Sequence, residues 1–441
     1  MPPRPVVLIH GYSDKAKGFD VWRRLLSDKT TKPFFNVRVS EYESLTNEIS
    51  IKDIAEGFDR ALRLQTDLKN DEDFDAIVHS TGMLVIRAWL TTYPTRKDRL
   101  KHLVALAPAT WGSPLAHKGR SWLGSIFKGS KDPRSPDFLE AGNEVLHGLE
   151  LGSRFTWDLA HRDLFGPDVY YGPNKRTPYV FVFCGDQPYK GIRELVNEPG
   201  TDGTVRLAGC SLNSRKAVVD LTERPTVRSR TEFGDLKGVS DIPVILIKGL
   251  NHSTIMKEPT SDLIKLVRSA LTIASEAELD SWVTSATAVS AEATMKKKWQ
   301  QFVLRVVDER GDPIPDYNVR LFSGNKELTA FTEDVHVYAR DKSLRNFHVD
   351  VTDFVAKPPK DFRMRIIAST GTQLVGYVGY GGESAAGPTP TVEVELDLTR
   401  LTTGETKFFF PFTTTLVEIK LNREPLPLGA ESPLCRIMLG S

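Results

Sequence analysis

Asp75-Ala76-Ile77-Val78-His79-Ser80-Thr81-Gly82-Met83-Leu84-Val85 is the stretch on which the reading of this chain turns. Residues 76–78, after Asp75, form an apolar run of the kind buried on both faces of a parallel sheet, and from Gly82 onward the apolar positions take helical spacing. Ser80 stands where the one becomes the other. A hydroxyl that is to attack a substrate must be lifted out of the sheet, and a sharp strand-to-helix turn does this, with Gly82 letting backbones approach closely. The start of the following helix also aims backbone N–H groups and the positive end of its dipole at the same place. Read alone, Ser80 is a helix N-cap; between this strand and this helix it reads as a nucleophile.

Outward from this turn, up to about residue 275, short β-rich runs alternate with longer helical segments, the pattern of a mainly parallel sheet covered by helices. Strands are read at Val6-Ile9, Asn36-Ser40, Asp75-Val78, His102-Leu106, Tyr179-Cys184 and Ile242-Ile247, and helices at Ile51-Leu68, Gly82-Thr92 and Ser261-Ser275. In the last helix Leu263, Ile264, Leu266, Val267, Leu271 and Ile273 make a broad apolar face for the sheet. The alternation breaks between Ala107 and Tyr179, a stretch too long for a structureless loop inside a compact domain. Trp122, Leu123, Ile126 and Phe127 fall there at helical spacing, and Phe138-Leu151 suits a second helix. The insertion, about 111–178, therefore reads as a helical cap, serving either as scaffold or as a lid over an apolar substrate pocket.

Residues 276–299, rich in Ala, Ser, Thr and Glu before Lys296-Lys297-Lys298, read as a connecting helix that follows a first domain of residues 1–275. Beyond it the period switches to two. Phe302-Val307, Tyr317-Phe322, Phe347-Val351, Phe362-Ile367, Thr391-Leu398 and Leu416-Leu421 read as strands, separated by turns such as Arg310-Gly311-Asp312-Pro313. Residues 300–441 are thus expected to form an all-β, sandwich-like accessory domain. Phe408-Phe409-Phe410-Pro411-Phe412 reads as a surface patch for lipid or protein contact or, in preference, as a buried strand or an inter-domain contact.

With 441 residues, 40% hydrophobic and 26% charged, the chain has the composition of a globular protein rather than a disordered or fibrous one. Lys and Arg total 58 against 57 acidic residues, so no basic excess points to nucleic acid. Three cysteines, Cys184, Cys210 and Cys435, show no metal-ligand spacing and no disulfide framework, which favours a reducing compartment. No apolar run suits a transmembrane segment, and strand-like sequence begins at Pro5, so no signal peptide is expected and the location is read as cytoplasmic, with signal-independent export left open. Neither a cofactor nor a metal is indicated.

A serine hydroxyl is a poor nucleophile until a base takes its proton. His252, in Lys248-Gly249-Leu250-Asn251-His252, follows the last parallel strand and precedes the last helix, which suits that base. A carboxylate must then hold the imidazole tautomer. Two candidates stand on the loop after the preceding strand: Asp186 at the strand end and Asp202 in Gly200-Thr201-Asp202-Gly203-Thr204-Val205. The first strand ends in His10-Gly11-Tyr12, so the backbone N–H groups of Tyr12 and Thr81 are the two expected donors to a developing oxyanion.

In this order, Ser80, Asp202 and His252 resemble the catalytic set of the α/β-hydrolase superfamily, and the local motifs look like those of its lipases over roughly residues 5–275. Asp202-Gly203-Thr204-Val205 is similar to the acid-bearing segment of many bacterial lipases and of lecithin:cholesterol-acyltransferase-like enzymes, which favours Asp202 over Asp186. His10-Gly11 resembles the family's oxyanion turn, and Ala107-Pro108-Ala109-Thr110-Trp111-Gly112-Ser113-Pro114-Leu115-Ala116 looks like the segment leading into a lipase cap. One departure is Val78, where the family's elbow usually has glycine. The resemblance implies an α/β-hydrolase fold and a serine esterase cleaving carboxylic esters of lipid type through an acyl-enzyme. Transfer of the acyl group to an alcohol, and a non-catalytic binding module, are the alternatives.

Overall fold

Six parallel strands carry the first unit: β1 (Val6–Ile9), β2 (Val37–Ser40), β3 (Phe74–His79), β4 (Leu100–Leu106), β5 (Tyr179–Gly185) and, after an antiparallel pair β6 (Ser214–Leu221) and β7 (Arg230–Phe233) that leaves this sheet, β8 (Val244–Ile247). Their order is β2-β1-β3-β4-β5-β8. The computed structural model describes residues 4–11, 16–42, 46–65, 68, 72–117, 142–172, 176–190, 197–222, 230–233, 242–380, 389–403, 407–426, 434 and 438. All six strands expected from the sequence are present, with their ends moved by at most two residues. β1, β3 and nearly all of β4 and β5 are buried, as a sheet covered on both faces requires.

The helices end where local chemistry stops them. Ile51–Leu64 begins at a capping box in which the Ser50 side chain accepts from the Asp53 N–H and Asp53 accepts from the Ser50 N–H, and it ends four residues before the expected Leu68. Gly82–Thr92 is buried from Gly82 through Leu90, so it lies within the fold rather than on it. The helix expected over Ser261-Ser275 stops at Ala270, because Ser275 serves instead as the N-cap of the next helix, Glu276–Lys296, accepting from the Glu278 N–H. The insertion contributes the helices Asn143–Leu149 and Arg154–Asp163, inside or beyond the expected second helix. Trp122, Leu123, Ile126 and Phe127 lie outside the described residues.

The insertion is tied to the sheet-facing helix by one buried ion pair. Arg87 Nε and Nη2 donate to both oxygens of Asp163 at 2.7 and 2.9 Å, Nη1 donates to the Thr110 carbonyl at 2.6 Å, and the Tyr171 hydroxyl donates to Asp163 at 2.6 Å. Both charged side chains are fully buried, so each is tolerable only because the other is there.

The division of the chain differs from the expected one. One unit comprises residues 1–214 and 236–299, and the other residues 215–235 and 300–441. The helix Glu276–Lys296 is therefore part of the first unit, where it packs on β8 and on Ser261–Ala270, and is not a separate connector. The segment carrying most of β6 and all of β7 belongs to the second unit, because its backbone completes a six-stranded sheet there.

In that second unit, β9 (Trp299–Asp308), β12 (Val335–Val337), β13 (Leu344–Asp350) and β17 (Thr414–Leu421) belong to the six-stranded sheet. β10 (Tyr317–Ser323), β11 (Lys326–Glu327), β14 (Phe362–Ser369) and β16 (Thr391–Asp397) form a four-stranded one, and β15 (Val375–Tyr377) pairs with β18 (Arg423–Pro425). Side chains from both larger sheets share one apolar core, including Val219, Phe302, Val306, Leu321, Ile366 and Ile419, which gives the expected sandwich. Phe408 and Phe409 are buried in this core, and Phe410 lies under the Arg215 guanidinium, 3.4 Å from its ring centroid. Two of the five residues of the apolar run are thus core and the other three are half-buried, outside any strand.

Replacing Arg87 by Met is expected to strand the buried Asp163 carboxylate and cost about 3–5 kcal/mol. Urea unfolding of the two proteins measures this; a loss below about 1 kcal/mol would mean that the pair does not hold the insertion.

Candidate active site

Ser80 follows the last residue of β3 and has φ of +53°, a left-handed conformation that costs a non-glycine residue energy and is kept only where the surroundings enforce it. Three contacts enforce it here. The Ser80 N–H donates to the Leu106 carbonyl at 3.3 Å, and the Ala109 N–H donates to the Ser80 carbonyl at 3.0 Å. Gly82, two residues on, has backbone pressed so closely against β1 that a Cβ there would lie 2.5 Å from the Ile9 oxygen. Gly11 is as constrained, since a Cβ on it would meet the Ser80 Cβ at 2.8 Å. Val78 is accommodated without distortion of the pairing: it is buried within β3, level with Ile9 of β1 and Ala105 of β4. The close approach is made by Gly82 instead.

Thr81 is the N-cap of Gly82–Thr92, where the first N–H groups have no intrahelical acceptor. Tyr12, the other expected donor, lies outside the described residues. The turn before it is held by His10, whose Nε2 accepts from the Tyr42 N–H at 3.1 Å. Its Nδ1 therefore carries the proton and donates to the Gly11 carbonyl at 2.7 Å.

His252 and Asp202 meet, both fully buried. His252 Nδ1 is 3.0 Å from Asp202 Oδ2, and the His252 N–H donates to the Asp202 carbonyl at 3.0 Å. Asp202 Oδ1 accepts from the N–H groups of Thr204 and Val205 at 3.0 and 2.9 Å, so the carboxylate is satisfied at both oxygens and directed by its own turn. Gly203 permits that turn with φ of +96° and lies against the Tyr189 ring. Asp186 is elsewhere engaged: it accepts from the Gly249 N–H at 2.7 Å and thereby closes the turn after β8. The structure thus joins His252 to Asp202 and not to Asp186.

The segment 107–116, read above as the approach to a cap, holds the acid loop. Ser113 Oγ donates to the Thr204 carbonyl at 2.6 Å, Trp111 Nε1 to the Ser211 carbonyl at 3.1 Å, and Thr110 Oγ1 to the Cys210 carbonyl at 2.7 Å. Nearby, the Cys184 and Cys210 sulfurs lie 2.8 Å apart, buried and free of any disulfide, with both thiols pushed up by burial. Cys435 lies outside the described residues.

His79, the last residue of β3, has no role assigned from the sequence; its Nε2 lies 3.1 Å from the His252 carbonyl, which can only accept, and its ring is 4.8 Å from that of His252. Burial, then the adjacent His252, holds the His79 imidazole well below the ordinary histidine range, with His10 and Lys257 adding to the effect. Among the described residues no cluster of three or more His, Cys, Asp or Glu is placed to hold a metal ion, and no helix is long and apolar enough to cross a membrane.

The depressed value of His79 has a signed consequence. Below the unfolded-chain value of about 6.5 the unfolded state takes up a proton that the folded state refuses, so stability is full above that pH and falls as pH drops through it, by at most about 1.4 kcal/mol per pH unit. Replacing His79 by Gln is expected to remove that part of the slope, which urea titrations between about pH 6.5 and 5 would measure.

No family model and no curated protein matches the sequence. Among solved structures, phospholipase PlaB from Legionella pneumophila superposes with a TM-score of 0.76 at 21% identity, covering 98% of this chain and 97% of that one. The same phospholipase in complex with thio-NAD gives 0.78 at 21% identity, covering 99% and 97%. Bacillus licheniformis lipase BlEst2 in mature form gives 0.39 at 14% identity, covering 58% of this chain and 87% of that one. The sheet order, the serine turn and the similarity to the phospholipase through the β-rich unit together establish an α/β-hydrolase fold with a C-terminal β-sandwich.

Proposed function

We propose that the chain is a serine hydrolase of carboxylic esters, acting on lipid-type substrates. The observation that carries this reading is the buried His252–Asp202 pair at 3.0 Å, joined through His79 to a serine held at φ of +53° on a strand-to-helix turn. A serine in that strained position is a nucleophile's arrangement rather than an N-cap's, since Thr81 and not Ser80 is the helix N-cap. The lipid-type substrate is supported by the fold shared with a phospholipase over nearly the whole chain.

In this mechanism the carboxylate of Asp202 holds the proton on His252 Nδ1, which leaves Nε2 as the basic nitrogen. Nε2 takes the Ser80 proton as Oγ attacks the ester carbonyl, and the Thr81 N–H, with that of Tyr12, receives the developing oxyanion. Protonated His252 then gives its proton to the departing alcohol, leaving an acyl-Ser80. Water, deprotonated by the same nitrogen, attacks the acyl group and releases the acid.

Ser80→Ala is expected to abolish hydrolysis of p-nitrophenyl esters and of phospholipid vesicles, and to abolish labelling by a fluorophosphonate probe mapped to the peptide holding residue 80. Retained turnover in that variant would rule out the assignment. Asp202→Asn is expected to lower kcat by about 10⁴-fold, because an amide can stabilise the wrong imidazole tautomer. Asp186→Asn, which touches only the turn after β8, should leave kcat within about tenfold; kinetics of both variants on one short-chain ester decide between the two acids.

A further inference from the structure

We infer that His79 is a positioning residue that latches the His252 loop to the serine turn through its Nε2–H, and that this bond, rather than bulk at position 79, sets how well His252 meets Ser80. The inference rests on the triad proposed above and concerns a residue outside it.

A carbonyl oxygen offers no proton, so the 3.1 Å contact between His79 Nε2 and the His252 oxygen fixes the tautomer of His79: Nε2 bears the hydrogen and Nδ1 the lone pair. Two things keep it there. Burial and the neighbouring His252 disfavour the charged ring, and Nδ1 is buried with no hydrogen-bond partner among the described residues, so no acceptor is placed to draw the proton across. The ring is therefore a fixed neutral donor pointing one way.

What it holds is the backbone of the proposed base. His252 is tied to the acid loop twice, by its N–H to the Asp202 carbonyl and by its Nδ1 to the Asp202 carboxylate. Both of these ties run to the acid loop. The His79 bond instead joins the His252 backbone to the residue adjacent to Ser80 in the chain, and so refers the base directly to the serine turn. Because Ser80 is locked by Leu106 and Ala109 and by the approach of Gly82 to β1, the latch transmits a rigid reference to the His252 loop. A neutral donor is also the suitable choice, since a charged ring 4.8 Å from His252 would oppose the imidazolium that His252 becomes during attack.

The two amide side chains separate the donor from the volume. In Gln the terminal nitrogen reaches about as far as His Nε2, whereas in Asn it reaches only about as far as Nδ1. His79→Asn is expected to lower kcat on a p-nitrophenyl ester by about 10- to 100-fold with KM within about twofold, as misplacement of a reacting group by about an ångström does. His79→Gln should recover most of that loss, and the rate of fluorophosphonate labelling at Ser80 should follow the same order. Equal kcat in the two variants, or a loss carried by KM, would overturn the latch. Should either variant fail to fold, histidine nitrogen NMR of the unaltered protein at pH 6 decides: a ring with the proton on Nε2 and a bare Nδ1 supports the inference, and a charged ring or the opposite tautomer at His79 overturns it. The NMR result does not depend on turnover, so a failure of the triad itself, seen as full activity in Ser80→Ala, is told apart from a failure of the latch.

Discussion

The approach of two backbones, Gly82 against Ile9, is the constraint on which the rest of the first unit depends. A single Cβ at Gly82 would lie 2.5 Å from the Ile9 oxygen, so β1 and the helix after β3 can meet at this distance only through a glycine. That contact forces the chain to leave β3 and enter the helix within two residues, which obliges Ser80 to take a left-handed conformation. It also brings Gly11 against the Ser80 Cβ, so that the turn after β1 and the turn after β3 become one surface. The strain at Ser80 is thus a consequence of packing between β1 and the helix, and hydrogen bonds from Ala109 and to Leu106 keep it from relaxing.

Around that rigid turn the polar groups are arranged in a sequence of dependencies. The carboxylate of Asp202 is directed by the N–H groups of Thr204 and Val205; the imidazole of His252 is directed by Asp202; and the loop bearing His252 is met by His79. The acid loop is in turn held from outside by Trp111, Thr110 and Ser113, through bonds to Ser211, Cys210 and Thr204. Groups buried this completely cannot rely on water, so each must find its partner in the protein, and a dense set of directed bonds is the result. The same rule governs Arg87 and Asp163, which unite the helix after Ser80 with the insertion.

How much of this was legible in the sequence follows from how local each signal is. The six parallel strands and the helix Gly82–Thr92 were readable because buried strands and amphipathic or buried helices write their periods into short stretches. β6 was not. Ser214–Leu221 carries Arg215, Lys216 and Asp220 among its apolar positions, and besides the nearby β7 it pairs with β17, almost two hundred residues later, so its place in that sheet is not written in the neighbouring sequence. The division into units differs for the same reason: a linear change of period suggests domains of residues 1–275 and 300–441 with a helix between, whereas 215–235 groups with the β unit through long-range pairing.

Residue order along the chain supplies the available groups: a serine between a buried strand and a helix, a histidine after the last parallel strand, two aspartates on the loops before it, and a β-rich second half. Which of these groups meet depends on the folded path. Asp186 and Asp202 are alike as residues, and only the folded path of the chain sends one to the Gly249 N–H and the other to His252. His79 is one more histidine in the sequence; the burial of its ring and its distance from the His252 carbonyl exist only once β3 and the loop after β8 are side by side. Residue type and period are properties of short segments, while tautomer, pairing and pKa belong to groups brought together across the chain, and so they appear only in the fold.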